Sequence, residues 1–247
     1  MNTLLIGIGI LIILYFVYKY FKMNKILITQ YYLPKWEERQ IEIDECLIHN
    51  LNNHLIDEIH LFIEQDYDFD KFKSNPNFSK LVFVNSTERL SYKQAFEYSN
   101  RHCSSNDIIL LANSDIYFNE TLSKIDTYSF DQTFYGLTRH EITETGLKLY
   151  ERPSVSQDVW IWKPPIQIKN IPDNIDYFTD GIQLGIWGCD NRILKIMKDS
   201  DYTIRNIGKD IQCIHNHKND LRTWLTNPKE VVKKYWEPNK IYYLDCE

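Results

Sequence analysis

The sequence predicts an α/β fold in which helices cover a mainly parallel sheet and one membrane-spanning helix precedes it. Three observations support this. Beyond residue 24, short apolar runs alternate with segments of helical spacing, as in chains that build a parallel sheet with crossover helices. Residues 108–112 are all apolar, which is typical of a short strand buried on both faces. Residues 4–21 are apolar except for Lys19.

Length and composition indicate one large domain. The chain has 247 residues, 43% hydrophobic and 25% charged, with no linker rich in Pro, Gly or Ser. We therefore divide it into an anchor at 1–23 and a single domain at 24–247. The net charge of −6 argues against a nucleic-acid partner. The five cysteines form no Cys-x-x-Cys pair, which favours reduced thiols, with Cys189 and Cys213 as small buried residues.

The N-terminal apolar segment predicts an uncleaved single-pass anchor. About 18 residues is near the minimum length for a helix that spans a bilayer. A secretory signal peptide would need a basic start and a small-residue cleavage site, and neither is present. Lys19, Lys22 and Lys25 follow the span, so the positive-inside rule places the rest of the chain on the cytoplasmic side of the membrane.

The first half of the domain predicts regular alternation. Pro34 ends the first strand, and Ser91 is a candidate N-cap for the second helix. The predicted strands are 25–32, 56–64 and 81–84, and the predicted helices are 37–53 and 91–103. Helical spacing in the first helix predicts an inner face made of Ile41, Leu47, Ile48 and Leu51.

The second half is less regular. We expect strands at 133–139 and 156–163, the latter ended by Pro164-Pro165. A loop at 181–190 leads to a helix at 191–198, and a late strand region covers 202–214.

Polar residues follow the buried strand 108–112 in the order Asn113-Ser114-Asp115. A carboxylate at the carboxyl end of such a strand lies where α/β sheets bind ligands, although turns and helix caps also use Asp there. The segment resembles the Asp-x-Asp region of nucleotide-sugar-dependent glycosyltransferases of the GT-A fold. In that family, the carboxylates hold a divalent cation that binds the donor diphosphate. Here Asn113 replaces the first Asp.

Two later segments extend the resemblance to most of the domain. They are Gln157-Asp158-Val159-Trp160 and Gly188-Cys189-Asp190-Asn191-Arg192, and the second is the more specific. In this order they resemble family 2-like enzymes of bacterial and viral type. The resemblance implies a hexosyltransferase-like enzyme that moves a sugar from a nucleotide-sugar donor to a hydroxyl of a glycan, lipid or protein. It also implies inversion through a single displacement.

The resemblance gives two carboxylates a catalytic role. Asp190 occupies the position of the general base of inverting GT-A enzymes, and its alternative role is a helix N-cap. Asp158 would lie near the donor sugar or the acceptor, and it is the second candidate for the base. Its alternative role is a buried carboxylate that supports the sheet.

The metal ligands are expected to come from two segments. His215 and His217 are two residues apart at the end of a strand and so point to the same face, and neutral imidazole binds manganese-like ions. GT-A enzymes often supply a C-terminal His beside the last Asp of the metal motif, which implies Asp115 with His215 or His217 as ligands of Mn²⁺ or Mg²⁺. Two ordinary surface histidines are the alternative.

The nucleotide-sugar is expected to bind at the carboxyl ends of the first strands. Gln30, Tyr31, Glu64 and Asp66 lie at two such ends, while Arg89 and Tyr92 resemble family residues that flank the nucleotide. The predicted donor contacts are Gln30, Tyr31, Glu64, Asp66, Arg89, Tyr92, Asn113, Ser114 and Asp115.

Two other functions remain open at this point. Asn113 and the abundant aromatic residues are compatible with a catalytically inactive, membrane-anchored carbohydrate-binding or interaction protein. A nucleotidyltransferase would use a similar sheet with carboxylates and a metal. It would normally carry a Gly-rich phosphate loop near its first strand, and none is visible.

Overall fold

The computed structural model describes residues 23–218 and 237–247 and confirms the α/β class. Within these residues the α-helices are α1 (Glu37–Asn52), α2 (Tyr92–His102), α3 (Ile175–Asp180) and α4 (Cys189–Asp199). The strands are β1 (Lys25–Tyr31), β2 (Glu58–Ile63), β3 (Leu81–Asn85), β4 (Ile108–Ala112), β5 (Ile116–Phe118), β6 (Thr133–Thr138), β7 (His140–Thr143), β8 (Gly146–Leu149), β9 (Gln157–Trp162), β10 (Thr203–Arg205) and β11 (Cys213–His215).

The central sheet is mainly parallel, as predicted. It has seven strands in the order β10-β6-β9-β4-β1-β2-β3. All neighbouring pairs are parallel except the two that β9 forms with β4 and β6. Strands β1 and β4 are therefore adjacent and end at the same edge of the sheet, where ligands bind in open α/β folds.

Helices cover both faces of this sheet. Leu110 of β4 belongs to the core under α1, whereas Leu111 belongs to the core under α2 and α4. Successive residues of a strand point to opposite faces, so a strand between two helical layers must be apolar at every position. This requirement explains the unbroken apolar run of β4.

The inner face of α1 differs from the prediction. Ile41 and Ile48 are 48% and 40% exposed, whereas Leu47 and Leu51 are buried as expected. Asn50, which is buried, lies on the inner face of α1 although it was not predicted there. Its Nδ2 donates to the carbonyl of Ile116 at 2.9 Å and its Oδ1 accepts from the backbone of Phe118 at 3.1 Å. These bonds satisfy the free edge of β5, so a polar side chain faces inward.

The start of α2 confirms the predicted cap. The Oγ of Ser91 accepts a hydrogen bond from the backbone N–H of Gln94 at 3.2 Å, and Oε1 of Gln94 accepts from the backbone N–H of Ser91 at 2.9 Å. This reciprocal pair is a capping box, which satisfies two N–H groups that the helix itself leaves without partners.

A second, four-stranded sheet was not predicted. Its order is β5-β11-β7-β8, with β7 and β8 forming a hairpin. The late strand region expected at 202–214 contains two short strands, β10 and β11, which lie in different sheets. Strands of three or four residues are too short for alternation of polar and apolar residues to reveal them.

The predicted anchor at 1–23 lies outside the described residues except for Met23. In 23–218 and 237–247, no helix is long and apolar enough to cross a membrane. Lys25, which the sequence placed among the charges that flank the anchor, is buried in β1 and pairs with Asp126 at 2.8 Å. All five cysteines are free, and Cys189 and Cys213 are buried as expected.

Candidate active site

A cleft of about 570 Å³ opens at the carboxyl ends of β1 and β4. It lies between the central sheet, the second sheet and the loop that precedes α4. The residues singled out from the sequence that line it are Gln30, Arg89, Asn113, Ser114, Asp115, Asp158, Asp190, His215 and His217.

Asp115, His215 and His217 form a cluster in this cleft, and one ligand atom from each lies within 4.8 Å of the others. Strand pairing creates the cluster. In the antiparallel register of β5 with β11, His215 is opposite Ile116, the residue after Asp115. The backbone N–H of Asn216 also donates to the carbonyl of Asp115 at 2.9 Å. Residues a hundred positions apart are thus fixed side by side.

The geometry and protonation of the cluster suit a divalent cation. Nε2 of His215 is 2.9 Å from Oδ2 of Asp115, and the two imidazole rings stack with centroids 5.1 Å apart. Nε2 of His217 is buried and has no hydrogen-bond partner among the described residues. Burial, followed by the charges of Arg39 and His215, lowers the pKa of His217, which favours neutral imidazole. Carboxylate oxygens suit ions such as Mn²⁺, and neutral imidazole is a common metal ligand.

Arg39 of α1 was missed by the sequence reasoning and contacts this cluster. Its Nη2 donates to Oδ2 of Asp115, and its Nη1 donates to Glu42 at 2.7 Å and lies 2.9 Å from Nδ1 of His217. Burial alone would raise the pKa of Asp115, but His215 and Arg39 outweigh it and hold that pKa well below its ordinary value. Asp115 is therefore ionised. An arginine in the first turn of an amphipathic helix carries no sequence signal for such a role.

Asp190 lies in the first turn of α4, and its alternative role as the N-cap is wrong. Gly188 occupies the N-cap position with a φ of 80°, a conformation that favours glycine. Oδ1 of Asp190 accepts from the adjacent backbone N–H of Asn191 at 2.9 Å. The backbone N–H groups of Gln157 and of Asp190 itself also favour the ionised carboxylate. Burial, with a smaller contribution from the charge of Asp158, raises the pKa of Asp190 to about 7.

The other residues of the Gly188–Arg192 segment hold Asp190 in place. Nδ2 of Asn191 donates to the carbonyls of Ser154 at 3.0 Å and Tyr242 at 2.8 Å. Arg192 is fully buried, and its Nε donates to Asp176 at 2.7 Å. The segment therefore fixes the start of α4 against three other parts of the chain, and Asp190 is the carboxylate it presents to the cleft.

Both carboxylate oxygens of Asp158 in β9 accept hydrogen bonds from side chains. Its Oδ1 accepts from Nδ2 of Asn113 at 2.9 Å, and its Oδ2 accepts from Arg139 and from the hydroxyl of Ser156, both at 3.1 Å. The contact with Asn113 explains the departure from Asp-x-Asp. An aspartate at 113 would place a second carboxylate against Asp158, where like charges repel.

The predicted donor contacts divide into two groups. Gln30 lines the cleft, with Oε1 accepting from the backbone of Leu90 at 3.0 Å and Nε2 donating to Glu64. Arg89 lines it too, and no described residue forms an ion pair with its guanidinium. Glu64 supports Gln30 from outside the cleft, and Asp66 is exposed beyond it.

Tyr31 and Tyr92 do not line the cleft. Residues alternate along a strand, so Tyr31 points to the opposite face, where its hydroxyl donates to Asp44 at 2.7 Å. Tyr32 lines the cleft instead. Tyr92 is fully buried and packs edge-on against Trp160, with ring centroids 4.8 Å apart. Both tyrosines are core residues here.

No protein-family model matches the chain, and no curated protein sequence matches it significantly. Solved structures do. TarS of S. aureus in complex with UDP-GlcNAc superposes with a TM-score of 0.51 at 12% identity, covering 86% of this chain and 65% of that one. GalNAc-T7 with UDP, GalNAc and Mn²⁺ gives 0.50 at 11% identity, covering 88% and 49%. The chain has a GT-A fold. A mannosyltransferase, PcManGT from Pyrobaculum calidifontis, in complex with GDP-Man and Mn²⁺, gives 0.49 at 12% identity, covering 80% and 58%.

This GT-A chain is shorter than those proteins and spans about half to two thirds of their lengths. The cleft described above lies at the edge of the sheet where the parallel strands end, which is the ligand-binding edge of α/β folds.

Proposed function

We propose that the chain is a metal-dependent glycosyltransferase that moves a sugar from a nucleotide-sugar donor to a hydroxyl acceptor. The observation that carries the proposal is that one cleft of a GT-A fold holds both the Asp115, His215, His217 cluster and Asp190. The ligands named for the similar structures, UDP-GlcNAc in one and UDP, GalNAc and Mn²⁺ in another, support this class of donor.

The donor side of the site consists of the cluster and the cleft-lining polar residues. Asp115, His215 and His217 would hold Mn²⁺ or Mg²⁺, which when bound supplies a Lewis acid that offsets the charge of the departing nucleotide diphosphate. Arg89 brings to the same cleft a guanidinium that forms no ion pair with any described residue, and guanidinium groups bind phosphate oxygens in bidentate fashion. Gln30 and Ser114 supply further polar contacts for the donor.

Asp190 is the general base of the proposed reaction. Its carboxylate accepts the proton of the acceptor hydroxyl while that oxygen attacks the anomeric carbon of the sugar. The bond from this carbon to the diphosphate breaks in the same step, so the anomeric configuration inverts. With a pKa of about 7, Asp190 is partly ionised near neutral pH and is still basic enough to take a proton from the acceptor.

Asp158 has a positioning role in this proposal. Its two oxygens accept hydrogen bonds from Asn113, Arg139 and Ser156, so it holds three cleft-lining side chains rather than receiving a proton. The hydrogen bonds to Asp190 come from backbone N–H groups, burial outweighs them and raises its pKa to about 7, and it is the better base.

Donor turnover tests the proposed function. Purified protein would be incubated with UDP-, GDP-, CMP- and dTDP-sugars and Mn²⁺, and release of the nucleotide, to water or to added glycans, would be followed. We expect turnover of one donor class, loss of at least about 100-fold in Asp190→Asn, and no change in Glu97→Gln, an exposed control on α2. Turnover that Asp190→Asn leaves intact would refute the base. Binding without turnover in any pairing would instead support the inactive carbohydrate-binding protein.

We also propose that residues 1–23 anchor the chain in a membrane with the catalytic domain on the cytoplasmic side. The apolar stretch 4–21, with Lys19 near its C-terminal end and Lys22 directly after it, supports this proposal. The full chain should stay with membranes after carbonate extraction, and the chain lacking residues 1–22 should not. A C-terminal fluorescent-protein fusion should fluoresce. Extraction of the full chain by carbonate would rule out the anchor, and a dark fusion of normal abundance would rule out the orientation.

A further inference from the structure

Arg39 contacts the Asp115, His215, His217 cluster that suits a metal, and it forms an ion pair with Asp115. Its side chain is 11% exposed and reaches from the first turn of α1 into the cleft. Nη2 donates to Oδ2 of Asp115, the oxygen that also faces Nε2 of His215 at 2.9 Å. Nη1 lies 2.9 Å from Nδ1 of His217. One guanidinium thus touches two of the three members of the cluster directly.

A divalent cation held by this cluster and the Arg39 guanidinium both need the carboxylate of Asp115. Oδ2 of Asp115 already accepts hydrogen bonds from a cationic donor, and a second cation close to it would be repelled by the first. The guanidinium is always charged, so it cannot leave by losing a proton. Its side chain must therefore move before a metal ion takes the cluster.

The surroundings allow such a movement. Nη1 also donates to Oε2 of Glu42 at 2.7 Å, and the Glu42 side chain is 2% exposed, so the guanidinium has a second anionic partner on its own helix. The N-cap residue of α1, Trp36, makes no side-chain capping bond. A shift of Arg39 therefore breaks no helix cap, and Glu42 retains a charge with which the guanidinium can pair.

We propose that Arg39 is a resident cation that competes with the divalent metal ion for Asp115 and His217 and thereby sets the affinity of the site for metal. The proposal rests on the metal-binding part of the function above and requires neither donor nor acceptor. It gives Arg39 a positioning role: the residue neutralises Asp115 when no metal is bound, and it becomes free to face the cleft when one is.

The size of the effect follows from how often the ion pair is formed. If Arg39 occupies the cluster about nine times in ten, the apparent metal affinity is about tenfold below that of the open site. Arg39→Gln removes the competing charge while keeping a hydrogen-bonding side chain of similar length. We expect this variant to bind Mn²⁺ at least about tenfold more tightly than the original chain.

Free Mn²⁺ measured by electron paramagnetic resonance, without nucleotide, tests this directly. The matched control is Arg152→Gln, an exposed guanidinium of the same cleft whose hydrogen bond goes to Tyr150. It changes the cleft charge equally without touching the cluster, and we expect less than about a threefold change because solvent screens it. Equal or weaker binding by Arg39→Gln, or equal tightening in both variants, would overturn the proposal.

Thermal unfolding shows whether a change in Mn²⁺ binding by the variant comes from misfolding. Arg39→Gln leaves Asp115 and Glu42 without their guanidinium, so its midpoint of thermal unfolding should fall without metal and rise more on Mn²⁺ addition than that of the original chain. Arg39→Lys, which keeps the charge with fewer donors, should bind Mn²⁺ with intermediate affinity. If no variant binds Mn²⁺, the proposal that Arg39 competes with the metal is wrong. The glycosyltransferase reaction is tested separately, by donor turnover.

Discussion

At the scale of the residue, three carboxylates of one cleft differ because their neighbours differ. Asp115 faces Arg39 and His215, and these hold its pKa well below the ordinary value despite burial. Asp158 pairs with Arg139 at 3.1 Å. Asp190 has no Lys or Arg partner within the described part of the chain, and burial raises its pKa to about 7. Environments that separate the pKa values of nearby acids also separate their roles.

The pKa of Asp190 predicts a pH-dependent cost in stability. The folded chain keeps a proton on Asp190 up to about pH 7, whereas the ordinary value for the unfolded chain is 3.8. As pH rises from about 4 to 7, this residue therefore makes folding progressively less favourable, by at most ~1.4 kcal/mol per unit of pKa difference. Asp190→Asn should raise the midpoint of thermal unfolding at pH 8 and leave it nearly unchanged at pH 4.5.

Thermal unfolding of both proteins at the two pH values, together with donor turnover between pH 5.5 and 8.5, checks this prediction. Turnover by the original chain should rise with pH through about 7, since the base must be ionised. A variant that is destabilised equally at both pH values would show that Asp190 has a structural role instead.

At the scale of the element, α4 presents Asp190 because buried polar contacts fix its first turn. Arg192 is completely buried, and its Nη2 donates to Asp176 at 2.6 Å, while its Nη1 donates to the carbonyl of Lys240 at 3.2 Å. Removing one partner of a buried ion pair leaves the other charge uncompensated. We therefore expect α4 to be sensitive to substitution of Arg192, which lies close to Asp190 in the chain but does not line the cleft.

Replacement of Arg192 by Met should lower the free energy of unfolding by about 3–5 kcal/mol, the usual cost of breaking a buried ion pair. The matched control is Arg101→Met on α2, where both members of the pair with Glu97 are exposed and the expected loss is below about 1 kcal/mol. Urea denaturation of the two variants measures both. Equal losses would show that burial of Arg192 does not matter.

Several elements could be predicted from the sequence, because each is determined by residues close together in the chain. The apolar run of β4 and the capping box of Ser91 with Gln94 depend on a few adjacent residues. The polar part of the inner face of α1 could not be predicted, because Glu42 and Asn50 form hydrogen bonds to residues far along the chain. The same holds for Arg39, whose role depends on Asp115 lying beside it.

At the scale of the whole molecule, the site exists because two sheets meet at one cleft. The central sheet contributes Asp158 and the end of β4, and the second sheet contributes His215 through the pairing of β11 with β5. The motifs Asn113-Ser114-Asp115 and Gly188–Arg192 indicated the GT-A resemblance before their spatial relation was known. The pairing that brings Asp115 to His215 joins short strands that no sequence pattern reveals.

Calorimetric titration tests whether this cleft binds a nucleotide through a metal held by Asp115. UDP, GDP, CMP and dTDP would be titrated into the chain with and without Mn²⁺, and into Asp115→Ala. We expect one nucleotide to bind only with Mn²⁺, and binding to fall at least about 100-fold in the variant, which loses the charged ligand of the cluster. Failure of all four nucleotides to bind with Mn²⁺, or equal binding by Asp115→Ala, would contradict the metal-dependent glycosyltransferase.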